Sequence, residues 1–283
     1  MKIAVAQINS VLGDFDKNVK HHIEFCNEAV KNKCDLILFP ELSLTGYSLK
    51  DINFDIAINP YKSDRLVELK KKSKEISIIC GFVEEDENFG LYNSSAFISE
   101  GSVSFTHKKI YPPTYGIFEE FRYFSKGKVC KAFDSKFGRN GILICEDLWH
   151  ITLPYILAMD GAKIIFGLAA SPTRLATDTY KFNNYVINSE HHKSFARLLS
   201  VYFVFCNRVG FEDGVNFWGG SEIIDPFGNV IIKGKLFEED LLISNIDLNE
   251  VRRARHLARH FLDENIDITL SNLKNIEGKN ISS

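Results

Sequence analysis

The sequence predicts an α/β fold with many strands and its helices on the outside, on three observations. Short apolar runs alternate with longer amphipathic stretches along the 283 residues. The first unit, residues 3–39, reads as strand, helix and strand, and residues 141–207 repeat the rhythm. A strand that reaches its neighbour through a helix runs parallel to it by a right-handed crossover, so both stretches imply parallel sheet.

Element by element, residues 3–8 (IAVAQI) read as the first strand. Asp14 and Asp16 offer caps, and Val19, Ile23, Cys26 and Val30 then recur at helical spacing. Leu36 to Phe39 is a continuous apolar strand ended by Pro40. A polar helix over 63–74 precedes a strand at 76–83, and Asp86-Glu87-Asn88 with Gly90 makes a turn. Strands at 92–99 and 102–107 form a hairpin around Glu100-Gly101. Residues 110–127, rich in Pro and Tyr, have no periodic pattern, and a loop that long in a compact domain is usually functional. Next come a strand at 141–145, a helix at 150–160, a strand at 163–168, a long helix at 178–199 and a strand at 201–207. Strands near 221–225, 229–232 and 241–246 close the sheet, with Asp225-Pro226-Phe227-Gly228 as a turn. A basic helix at 249–261 comes last. The expected organisation is one domain, 1–270, and a polar tail, 271–283, with no linker or short-period repeat.

Composition narrows the function classes. With 45% apolar and 25% charged residues, the chain matches soluble globular proteins, and its length supports a core without staples. A net charge of −3 gives no reason to expect nucleic acid or an anionic membrane as partner. The six cysteines form no C-x-x-C pair and read as reduced thiols of a reducing compartment. Met1-Lys2-Ile3 leads straight into a strand, so no signal peptide is expected, and no apolar run is long enough to span a bilayer. The expected location is the cytoplasm.

Three reactive side chains sit at strand ends, where α/β sheets bind ligands. Glu41 follows LILF and Pro40, Cys145 ends GILI, and Lys109 opens the aromatic loop. Separately each has a plain structural reading: a solvated or capping Glu, a solvated Lys, an inert core Cys. Together they suit attack on an amide, a poor electrophile. A thiolate supplies the nucleophile, and a nearby ammonium lowers the thiol pKa and stabilises the oxyanion. A carboxylate can take the thiol proton, deliver it to the leaving group and then activate water. The Glu146 N–H would be a second oxyanion donor.

Other motifs fail. His21-His22 and His191-His192 lack the i, i+4 spacing of a zinc pair and read as solvated helix faces. Gly219-Gly220 precedes no helix start or P-loop Lys, and no G-x-S-x-G is present. No cofactor and no metal is expected.

Six segments carry a resemblance: MKIAVAQINSVLGDFDKNV, LILFPELSLTGYSLKD, YNSSAFISEG, KKIYPPTYGIFEEFRYF, GILICEDLW and FWGGSEIIDPFG. In this order, over almost the whole chain, they resemble the nitrilase (carbon–nitrogen hydrolase) superfamily, closest to the glutaminase domain of glutamine-dependent NAD synthetases. The resemblance implies a four-layer α-β-β-α sandwich that pairs into a homodimer or higher homo-oligomer. It also implies Glu41 as general base, Lys109 as transition-state stabiliser, Cys145 as nucleophile and Glu120 as buttress of the lysine. Lys109 is preferred to Lys108, and Glu120 to Glu119, by their spacing to Pro113 and Gly127 in the family's loop. Positions matching Tyr47, Tyr115, Glu146 and Ser171 contact the substrate in the glutaminase branch, with Glu146 and Ser171 holding its α-ammonium group. Two departures stand out. Ala169-Ala170-Ser171-Pro172 replaces the branch's Asn-Ala-Ser-Pro, and the synthetase's Ser-Gly-Gly-x-Asp-Ser loop is absent. Released ammonia would then go to a separate ammonia-accepting synthetase or to solvent.

The expected function is therefore cysteine-dependent hydrolysis of a small amide, glutamine or a related ω-amide, through a thioester. An amidase or N-carbamoyl hydrolase of different substrate is the main alternative. A true nitrilase fits less well, because Cys145 precedes Glu146-Asp147 rather than Trp-Glu. A non-catalytic binding subunit is disfavoured by the complete set Glu41, Lys109, Glu120 and Cys145.

Overall fold

The computed structural model describes residues 1–173 and 183–281. Its first half opens with β1 (Lys2–Gln7), α1 (Phe15–Lys31) and β2 (Leu36–Leu38), then two short helices, α2 (Asn53–Ile56) and α3 (Val67–Lys72). After them come β3 (Ser77–Glu85), β4 (Leu91–Ser99), β5 (Ser102–Lys108) and the single-turn α4 (Glu120–Tyr123). The second half holds β6 (Phe133–Ser135), β7 (Gly138–Ile144), α5 (Thr152–Met159), β8 (Ile164–Ala169), α6 (Asn183–Leu199) and β9 (Tyr202–Asn207). It ends with β10 (Val209–Glu212), β11 (Val215–Trp218), β12 (Glu222–Ile224), β13 (Val230–Lys233), β14 (Asp240–Asn245), α7 (Leu248–Leu257) and α8 (Ile266–Ile281).

The strands make two six-stranded sheets, ordered β14-β1-β2-β3-β4-β5 and β13-β12-β9-β8-β7-β6, beside a small β10–β11 hairpin. Pairing is parallel for β1–β2–β3 and for β7–β8–β9, the stretches whose strands are joined by helices. Alternation along β1 shows how the layers stack. Ile3 and Val5 enter a cluster shared with Phe166, Leu168 and Val204 of the other sheet, while Ala4 and Ala6 face the layer of Phe15, Val19 and Cys26. On the far side, Leu143, Ile165 and Phe203 pack with Leu153, Leu157 and Ala196 of α5 and α6. Strands buried on both faces read as unbroken apolar runs, and this burial makes the architecture an α-β-β-α sandwich.

Several elements differ from expectation, each for a physical reason. Residues 240–245 leave the second sheet and pair antiparallel with β1, so the last strands serve both sheets rather than closing one. Strands β6, β10 and β11 lack a strong pattern because they are short, and β10 contains Gly210. Of the helix expected at 178–199, residues 178–182 lie outside the described residues; the rest is helical from Asn183. The tail expected from 271 lies in α8, and residues 271–279 are exposed. Ile266, Leu270 and Leu273 recur at helical spacing, and the Asn265 side chain accepts from the Asp267 and Ile268 amides at its start.

The histidine pairs are also not uniformly solvated: His22 and His192 are fully buried. Neighbouring helical residues point about 100° apart, so one of each pair turns inward. Burial pushes His22 down to about 3, leaving it neutral between the Asn18 carbonyl and the Ser43 hydroxyl. His192 stacks on Phe203 and bonds the Glu222 carboxylate at 2.9 Å. No helix among the described residues is long and apolar enough to cross a membrane.

Candidate active site

Glu41 lies three residues past β2 in a turn where Leu42 takes the left-handed φ of 48°. The turn fits because Gly81 of β3 lies behind it: a Cβ there would fall 2.3 Å from the Leu42 nitrogen. Glu41 is 1% exposed, and all its bonds run across the fold. Its Oε1 accepts from Lys109 Nζ and Asn93 Nδ2, both at 2.8 Å. Its Oε2 accepts from the Ala170 amide at 2.7 Å. Since Ala170 follows β8, this carboxylate ties the two sheets together.

Lys109 follows β5, whose alternation separates it from its neighbour. Lys108 turns out to Asp86 at 3.2 Å and lies over the Tyr92 ring, whereas Lys109 turns in and is 1% exposed. Its backbone is held on both sides, its amide donating to Asn93 and its carbonyl accepting from Gly127, each at 2.8 Å. Gly127 has to be glycine, since a Cβ would lie 2.1 Å from the Lys108 carbonyl oxygen. Lys109 Nζ donates to Glu41 Oε1 at 2.8 Å and to both oxygens of Glu120 at 2.7 and 2.8 Å. Burial opposes the ammonium charge, but Glu120 and Glu41 outweigh it and hold the lysine protonated well above its ordinary range.

Glu120 opens α4 and is buried, whereas Glu119 is exposed. It also accepts from Tyr47 Oη at 2.5 Å and from Asn93 Nδ2 at 3.4 Å. Burial raises its carboxyl to about 7 against the pull of Lys109, and Glu41 adds to the rise. Between the usual 4.5 and 7 the folded chain therefore holds a proton that the unfolded chain has released. The contribution of this group to stability is fully present below 4.5 and is lost as pH rises through 7. Glu120→Gln, which cannot titrate, is expected to flatten that slope. Urea midpoints of both proteins over roughly pH 5–8 check it, and identical slopes would contradict the raised carboxyl.

Cys145 immediately follows β7 and begins the 3-10 turn Cys145–Trp149 with a φ of 47°. A non-glycine residue there stores about 1–3 kcal/mol of strain, as functional turns often do. The residue as a whole is half-buried. Burial and Glu41 push the thiol well above its ordinary range, and the lowering pull of Lys109 does not reverse this. The expectation of a lowered thiol pKa is thus corrected: the resting group is a thiol, and its proton needs a base. Glu41, Lys109, Glu120 and Glu146 all act electrostatically on it.

The remaining predicted residues gather around this centre. Tyr47 reaches Glu120, and burial with the Glu120 and Glu41 charges pushes its phenol well above the ordinary range. Tyr115, 52% exposed on the aromatic loop, donates to Glu146 Oε2 at 2.7 Å. Ser171 follows Ala170; its amide donates to Asn207 Oδ1 at 2.8 Å and its Oγ accepts from Trp218 Nε1 at 3.1 Å.

Several residues of the site have no role assigned from the sequence, although Asn93 and Asp147 lie in the segments YNSSAFISEG and GILICEDLW. Asn93 bridges both glutamates from a strand that also carries Ser94 and Ser95. Glu212 accepts from the Tyr47 and Ser48 amides at 2.9 and 2.6 Å and pairs with buried Arg208 at 2.7 Å, fixing the segment that carries Tyr47. Asp147 is fully buried two residues beyond the cysteine. Among the described residues, no three His, Cys, Asp or Glu side chains group so as to hold a metal ion.

A family model described as carbon-nitrogen hydrolase matches residues 2–256. The glutamine-dependent NAD(+) synthetase of Thermotoga maritima is 32% identical over 254 residues, covering 88% of this chain and 42% of that protein. The chain thus spans less than half the length of this relative. The N-carbamoylputrescine amidase of Oryza sativa is 28% identical over 287 residues, covering 94% of this chain and 93% of that protein. A crystal structure of a carbon-nitrogen hydrolase from Helicobacter pylori superposes with a TM-score of 0.88 at 22% identity, covering 96% of this chain and 98% of that one.

Proposed function

The chain belongs to the carbon–nitrogen hydrolase family, and from that premise we propose that it hydrolyses a small amide, glutamine or a related ω-amide, through a thioester on Cys145. One observation carries the reading. A buried ammonium is bonded to two buried carboxylates, and all three act on a half-buried cysteine at a strained strand end.

Because the thiol is protonated at rest, Glu41 takes its proton as sulfur attacks the amide carbon. Lys109, Asn93 and Ala170 hold both oxygens of Glu41 in place. The Lys109 charge and the Glu146 N–H stabilise the oxyanion. Protonated Glu41 then gives its proton to the leaving nitrogen, and ammonia departs. A water molecule, deprotonated by Glu41, attacks the thioester, which yields the carboxylic acid and restores the thiol. Glu120 keeps Lys109 charged and in place.

Tyr47, Tyr115, Glu146 and Ser171 line the approach to this centre in the same reading, with the Glu146 carboxylate and Ser171 hydroxyl facing a substrate ammonium. A second reading, N-carbamoyl hydrolysis, has its own support: the rice amidase matches nearly end to end, whereas the synthetase match covers under half of that relative. Homo-oligomerisation and delivery of ammonia to a separate synthetase belong to the proposal, as does a reducing cytoplasmic setting for the six free cysteines.

A panel of glutamine, asparagine, N-carbamoyl compounds and simple nitriles separates the readings by product. Ammonia release from glutamine with an acyl adduct on Cys145, seen by mass spectrometry, is the expected result. Turnover confined to N-carbamoyl compounds would replace it with the second reading. Chelators are expected to leave the rate unchanged, and inhibition would point to chemistry outside this centre.

A further inference from the structure

We propose that Asp147 is the positioning residue that fixes Cys145 relative to Lys109, by gathering the backbone on both sides of the site onto one buried carboxylate. The inference rests on the roles given above to Cys145 and Lys109. Asp147 is 0% exposed, and four donors converge on it. Its Oδ1 accepts from the amides of Ile110 and Tyr111, both at 3.0 Å. Its Oδ2 accepts from the Ile144 amide at 3.2 Å and from His107 Nε2 at 3.0 Å. His107 Nε2 must carry the proton, because its partner is an acceptor.

The placement of these donors gives the carboxylate its role. Ile144 immediately precedes Cys145, and Asp147 lies two residues after it, so the left-handed turn is closed at both ends by one side chain. His107 and Ile110 flank Lys109 in the chain. The same two oxygens therefore set the end of β7 in one sheet against the end of β5 in the other. A carboxylate has the acceptors for four N–H donors; a carboxamide has one oxygen and an NH₂ that would face other donors. Asp147→Asn is thus nearly isosteric yet must release one side of the junction.

The test compares wild type and Asp147→Asn by kcat, KM and the rate of Cys145 alkylation by iodoacetamide, each per folded molecule. The alkylated cysteine is identified by peptide mass spectrometry. The expected result is a kcat at least about tenfold lower with KM within about threefold, as misplaced catalytic groups produce, and a clearly slower alkylation of Cys145. A variant that melts earlier but keeps wild-type kcat and alkylation would make Asp147 merely structural and overturn the proposal. Should Asp147→Asn not fold, His107→Leu leaves Oδ2 held by Ile144 alone; the same two rates are expected to fall, and wild-type values would overturn the proposal. If the wild-type chain hydrolyses no amide, the proposed function fails on its own, while the alkylation arm, which needs no substrate, still decides the part of Asp147.

Discussion

Cys145→Ala is expected to abolish ammonia release, by on the order of 10⁶-fold, the scale on which deletion of a covalent nucleophile acts. The fold should survive, because alanine keeps the Cβ and the backbone turn while removing one sulfur from a half-buried residue. Ammonia assays on the purified variant, with circular dichroism to verify folding, check both halves. Retained turnover would rule out the nucleophile. The left-handed φ of 47° adds a second arm. Cys145→Gly is equally inactive in this account but should be more stable than Cys145→Ala by about 1 kcal/mol, since glycine alone meets no Cβ penalty there. Equal melting temperatures for the two variants would mean that the turn stores no strain.

The parts of this molecule legible in the sequence are those whose cause is local. Unbroken apolar runs at 36–39 and 164–169 announce strands buried on both faces, and both sheets are built on them. Glu41, Lys109 and Cys145 could be located because a strand end is a local feature. What they bond to could not be, since their partners come from 52, 68 and 129 residues away. Asn93 looks like an ordinary strand residue until Glu41 and Glu120 face it, and Asp147 looks like a solvated acid until four donors surround it. The buried histidines escaped for the same reason: neighbours in sequence share composition, and only the packed helix decides which one turns inward. The raised thiol depends on burial as well, so the direction of its shift could not be read from a nearby lysine alone.

Lys109→Met is expected to cost at least about 2.7 kcal/mol of transition-state stabilisation, roughly a hundredfold in rate, the scale of one oxyanion donor. The geometry complicates the measurement. All three Nζ protons are engaged by Glu41 and Glu120, so the lysine acts on the oxyanion through its charge or by giving up one of its two bonds to Glu120. Its removal also leaves two buried carboxylates facing one another, and breaking such a cluster costs about 3–5 kcal/mol of stability. Glu120, already at about 7, can lower that cost by keeping its proton. The stability deficit should therefore be small in mild acid and grow as pH rises past 7, where holding the proton becomes harder. Adding Glu120→Gln to Lys109→Met removes the second buried charge, and the double variant should regain stability at alkaline pH without regaining activity. Urea midpoints and ammonia release, measured on the two single variants and the double, separate the two roles. If Lys109→Met keeps a rate per folded molecule within about tenfold of wild type, the lysine is a structural counter-ion and the oxyanion must be held elsewhere.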